Sequence, residues 1–125
     1  MGPVADNALT GEGALPAAVG GVPSLTELAA IAEELGPERW RTLSDAAQVV
    51  ASYLACHPRV AAVRYCGLKA DPDFAEAACT LRGGFGPVVC VRLVGDAPGT
   101  WRRWEPDGRD VREQVMELEG LLARR

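Results

Sequence analysis

Residues 57 to 68 read HPRVAAVRYCGL, and residues 83 to 91 read GGFGPVVCV. In the first stretch Pro58 ends a helix, because proline has no amide hydrogen to continue the ladder. Ala61, Val63 and Tyr65 then alternate with Val60, Ala62 and Arg64, the period of a strand, which predicts one from Val60 to Cys66. The second stretch opens on Gly83-Gly84, a helix stop, and runs into valines on both faces. That predicts a central strand, covered on both sides, from Val88 to Val94. Between the two, Asp71-Pro72 reads as an N-cap acid with proline in the first helical position. Phe74, Ala75, Ala78 and Leu81 would form the apolar face of that helix.

The pattern extends outward in both directions. Ser24 and Glu27 have capping-box spacing, and Leu28, Ile31 and Leu35 recur at helical intervals up to Gly36-Pro37. A second helix is predicted from Pro37 or Thr42 to Ala55, with Leu43, Ala47, Val50 and Leu54 on one stripe and Val49 and Tyr53 widening it. Downstream, Asp96 to Gly99 is turn chemistry. Thr100 to Glu105 is a candidate third strand, carrying Trp101 and Trp104 in a hairpin with the second. Asp110 and Glu113 read as another capping box, opening a helix to about Arg124 with Val111, Val115, Leu118 and Leu122 inward. The order α-α-β-α-β-(β)-α predicts an α+β fold, a two-layer sandwich of helices packed on a small, mostly antiparallel sheet. Residues 1–22, with five glycines and two prolines and no sustained period, are expected to be a flexible or extended arm. Residues 23–125 are expected to be a single small domain.

A chain of 125 residues fits one domain, burying roughly 65% of its unfolded surface. Hydrophobic residues at 48% and charged residues at 24% are ordinary for a globular protein. The net charge of −4 argues against nucleic acid, whose phosphates call for a basic excess. No apolar run approaches the roughly 20 residues of a membrane span. The start of the sequence lacks a basic region followed by an apolar one, so a cytoplasmic protein is expected.

The four cysteines, Cys56, Cys66, Cys79 and Cys90, form no C-x-x-C pair and match no zinc spacing. They are expected to be small buried hydrophobes rather than disulfides or metal ligands. Cys56 beside His57, the only histidine, has the composition of a nucleophile and its base. Sequence neighbours rarely face each other, however, and no orienting third group is evident. No catalytic, cofactor-binding or metal-binding residue is therefore assigned. Trp40, Trp101 and Trp104 are the candidate interaction surface, since tryptophan is enriched at binding hot spots; the competing reading is that they fill a small core.

Residues 40 to 94 resemble the C-terminal small domain of the trans-sulfuration enzymes, the pyridoxal-phosphate-dependent family of cysteine and methionine metabolism. Cystathionine synthases and lyases and O-acetylhomoserine sulfhydrylases belong to it. The likeness lies in HP before the first strand, its valines and Tyr65, the GL that follows, and GGFG before the second strand. The departures matter as much. Cys66 stands where the family has proline, no S-L-G turn occurs, and the arginine expected to grip a substrate carboxylate has no counterpart in its usual place. The resemblance places the cofactor lysine in a large domain upstream, whereas the only lysine here is Lys69, in the loop after the first strand.

Two readings follow. The chain is a stand-alone, non-catalytic relative of that small domain, acting by protein contact or self-association as a homodimer or with a protein partner. Alternatively, it is the accessory subunit of a split enzyme, with pyridoxal phosphate present only if a partner chain supplies the site. A decayed gene remnant or a short small-molecule-binding module of unrelated activity is a third.

Overall fold

The computed structural model describes residues 21–123. The arm expected over residues 1–22 lies, but for its last two residues, outside them. Helix α1 (Leu25–Leu35) starts at the predicted capping box: the Ser24 hydroxyl accepts the Glu27 N–H at 3.1 Å, and the Glu27 carboxylate accepts the Ser24 N–H at 2.8 Å. Gly36 (φ 87°) then turns the chain through the left-handed region, where a side chain is disfavoured, and Pro37 opens helix α2 (Pro37–Ala55). Strand β1 (Val60–Arg64), helix α3 (Phe74–Thr80), strands β2 (Val89–Leu93) and β3 (Arg102–Trp104), and helix α4 (Val111–Ala123) follow.

The three strands form one antiparallel sheet in the order β1-β2-β3, so β2 is central as its valines foretold. Side chains directly opposite each other in an antiparallel pair share a face. Val91 pairs with Val63, and Val89 with Trp104; with Leu93 these lie against α2 and α4. There they meet Ala47, Val50, Ala51, Leu54, Leu118 and Leu122 in the main core. The other face carries Cys90, whose partners across the sheet are Arg64 and Arg103, and Arg92, whose partner is Ala62. A second apolar cluster of Leu28, Trp40, Cys66, Ala77 and Val88 reaches Cys90. The fold is the α+β arrangement read from the sequence. No helix among the described residues is long and apolar enough to cross a membrane.

Several boundaries and faces differ from expectation. Helix α3 begins at Phe74, not at Asp71-Pro72, and its buried residue is Ala77, while Ala75 and Ala78 are exposed. Seven residues give it two turns, too short for a full stripe. Asp71 is drawn inward instead. Val49 is 49% exposed, leaving the α2 stripe narrower than predicted. At α4 the Asp110 carboxylate accepts the Arg112 N–H at 2.8 Å, in place of a capping box with Glu113.

The GGFG segment is explained by what it approaches. A Cβ on Gly84 (φ 145°) would stand 2.4 Å from the Ser44 Cβ. The loop can therefore lie on α2 only without a side chain there. That proximity lets the Ser44 hydroxyl accept the Gly86 N–H at 3.0 Å, and the buried Tyr65 hydroxyl donate to the carbonyls of Gly86 (2.9 Å) and Ser44 (3.3 Å).

Candidate functional site

The three tryptophans do not form a common patch. Trp40 is 2% exposed and donates its indole N–H to the Arg82 carbonyl at 2.9 Å, so it belongs to the second core cluster and presents no surface. Trp104 is half-buried on the helix-covered face, packed against the main core. Trp101 is half-buried just before β3, packs against the second core cluster, and meets Arg92, whose guanidinium carbon lies 5.0 Å from the ring centre. Of the candidate surface, Trp101 alone sits beside the arginine-bearing face.

That face has a definite charge pattern. Arg64, Arg92 and Arg103 all project from it, two in one row across Cys90 and the third two residues along β2. Arg64 bonds the Asp71 carboxylate at 3.0 Å and the Asp73 carboxylate at 2.9 Å, which hold its guanidinium firmly in the cationic form. Arg103 bonds Glu105 at 2.6 Å. Arg92 differs: no hydrogen bond or ion pair of its guanidinium occurs among the described residues, and its neighbour is the Trp101 ring.

Asp71 organises the approach to this face. Its carboxylate accepts the Tyr65 N–H (3.0 Å) and the Asp73 N–H (2.9 Å) besides pairing with Arg64. The β1–α3 loop is thus tied to the end of β1 by one buried carboxylate. Sequence reading found the acid but assigned it to a helix cap, because its true partners lie on the strand before it.

A second polar cluster lies where α2, the turn after it and α4 meet, in an open cleft lined by Ser52, Cys56 and Arg59 among others. The Tyr53 hydroxyl donates to the Glu119 carboxylate, and His57 Nε2 lies 3.2 Å from the same carboxylate. His57 Nδ1 accepts the Arg59 N–H at 3.0 Å, which leaves the proton on Nε2. Burial and then the Glu119 carboxylate push the Tyr53 hydroxyl up to about 12. Hydrogen bonding from Tyr53, then from His57, holds the Glu119 carboxyl below its usual range. Both ring nitrogens of His57 are engaged, so the histidine is not poised as a base for Cys56.

The cysteines divide in two. Cys66 and Cys90 are buried as expected, but Cys56 and Cys79 are exposed, being at the end of α2 and on the outer side of the short α3. Desolvation, with Asp71 and Asp73 next, pushes the Cys66 thiol up to about 11; desolvation likewise raises Cys90. Neither is a ready nucleophile. Lys69 is exposed in the β1–α3 loop. Among the described residues, no group of three or more His, Cys, Asp and Glu side chains converges to hold a metal ion.

No protein-family model and no curated protein matches the chain. Solved structures do. Two crystal structures of cystathionine gamma synthase from Xanthomonas oryzae pv. oryzae, one in complex with aminoacrylate and cysteine and one with cystathionine, align with a TM-score of 0.59 at 17% identity. The alignment covers 68% of this chain and 34% of the synthase chain. The likeness is one of fold, and this chain spans about a third of the length of the proteins it matches.

Proposed function

We propose that this domain acts by protein contact rather than by chemistry of its own. The observation that carries this reading is the unlike character of the sheet's two faces. One is closed by α2 and α4, while the other is covered at Cys90 by the smaller apolar cluster and presents Arg92 over the half-buried Trp101 beside it. Support comes also from His57, which uses both nitrogens and so is no base for the exposed Cys56, and from the burial of the Cys66 and Cys90 thiols.

The resemblance to trans-sulfuration enzymes implies pyridoxal phosphate, and the residues of this chain do not fit it. A Schiff-base lysine must be desolvated and poised over the cofactor ring, whereas Lys69 is solvent-exposed in a loop. The second reading is therefore a split enzyme in which a companion chain supplies the cofactor site. Its support is the part-length match to a cystathionine gamma synthase.

Gentle affinity capture of the tagged chain from its own host, with an absorbance spectrum of the eluate, separates the two. A colourless complex with a protein unrelated to the family supports the contact reading. A stoichiometric companion with the visible band of bound pyridoxal phosphate replaces it with the split enzyme.

A further inference from the structure

The described chain has four half-buried arginines: Arg64, Arg92, Arg102 and Arg103. Three of them are matched to carboxylates, Arg64 to Asp71 and Asp73, Arg102 to Asp96, and Arg103 to Glu105. Arg92 is the exception, and its position makes the exception informative. It lies on the central strand, paired with Ala62 of β1 on one side and one residue past the stretch paired with β3 on the other, and its guanidinium lies over the Trp101 ring. A guanidinium stacked on an aromatic ring keeps its N–H edge available and loses less freedom when it grips a carboxylate. The neighbouring strand β1 and the ring displace part of its water, so a carboxylate placed there is attracted more strongly than at a fully exposed arginine.

We propose that Arg92 and Trp101 form the seat for an acidic segment of a partner protein, with one Asp or Glu carboxylate on the N–H edge of Arg92 and an adjacent apolar side chain on the exposed part of Trp101. Charge complementarity selects this occupant. The acids already on the face are hydrogen-bonded to Arg64 and Arg103, which leaves Arg92 as the guanidinium there without a carboxylate partner. A second copy docked symmetrically through the same face would bring acids that Arg64 and Arg103 already hold, and so no carboxylate free for Arg92. Arginine and tryptophan are also the side chains most enriched at interface hot spots. The assignment rests on the contact reading above and names the chemistry of the partner.

The test uses the full chain, isotopically labelled, titrated with the peptide Gly-Glu-Leu-Glu-Gly and with its neutral counterpart Gly-Gln-Leu-Gln-Gly. The acidic peptide is expected to shift the Arg92 side-chain Nε–H and the Trp101 indole resonances saturably, with affinity falling as salt is raised. Arg92→Gln should weaken it about tenfold or more, the loss of one charged hydrogen-bonded contact. Arg92→Lys should recover part of the binding, and Arg59→Gln should bind the peptide as the wild type does, since Arg59 lies by the His57 cleft. Equal binding of both peptides, shifts confined to other sites, or an unchanged affinity in a folded Arg92→Gln chain would overturn the proposal. So would self-association of the chain that Arg92→Gln abolishes, which would make the occupant a second copy. Affinity capture with both chains separates this proposal from its premise. A companion retained equally by wild type and Arg92→Gln leaves the contact reading standing and removes Arg92 from it.

Discussion

The two faces of strand β2 are built from adjacent residues and obey different physics. Val89, Val91 and Leu93 meet α2 and α4 and are at most 2% exposed. Cys90 and Arg92, one residue out of phase, face a row of arginines, their carboxylates and one indole. The first face holds the domain together by excluding water. The second is covered by the smaller apolar cluster at Cys90, is stitched by directed polar contacts around it, and leaves one guanidinium without a carboxylate partner. Most of the stability should therefore reside on the first face, and the proposed recognition at the Arg92 end of the second.

The strongest way to break that division is Leu54→Ala, which empties a fully buried site between α2 and the sheet. It should cost about 3 kcal/mol, as large-to-small core changes do, read as a lower midpoint in urea unfolding at constant slope. A loss below about 1 kcal/mol would mean the main core is not the principal anchor. Asp71→Asn comes next, at about 2 kcal/mol, because it removes the charge facing Arg64 and mismatches buried N–H donors. The loss should be accompanied by faster amide exchange at Tyr65 and Asp73. Arg92→Gln, by contrast, should change stability by less than about 1 kcal/mol, the scale of a partly exposed cation–π contact. A larger effect would show that the arginine face is structural after all.

The smallest expected effect is one of pH. The Glu119 carboxyl titrates lower in the folded chain, so its contribution is present above its unfolded value of about 4.3 and lost as pH falls through the folded one. Unfolding midpoints measured from pH 7 down to pH 3 should fall less steeply for Glu119→Gln than for the wild type. Identical slopes would mean that the Tyr53–Glu119–His57 contacts contribute nothing to folding.

What the sequence disclosed and what it hid divide along the same line. Helix starts and stops are local, so the Ser24–Glu27 box and the Gly36-Pro37 break were legible from spacing alone. The centrality of β2 was legible because valines on both faces suit only a covered strand. The partners of polar side chains were not. Asp71 looks like a helix cap in sequence and becomes a buried clamp because Tyr65 and Arg64 curl back to it. Trp40 looks like a hot spot and is core because the Arg82 carbonyl, far along the chain, caps its indole. Arg92 could not be singled out until the register placed it on one face with two arginines that already had partners.

The junction of Ser44, Tyr65 and Gly86 has a temporal consequence as well as a spatial one. Its three members are separated by 21 residues at each step and belong to α2, the segment after β1 and the GGFG loop. Those hydrogen bonds join three segments far apart in the chain, and we expect them to close in the last stage of folding. Contacts formed after the rate-limiting step act on escape from the native state and not on arrival. Ser44→Ala should accordingly accelerate unfolding in stopped-flow experiments while leaving the refolding rate nearly unchanged. The junction is the fastener that sets how long the assembled domain stays closed.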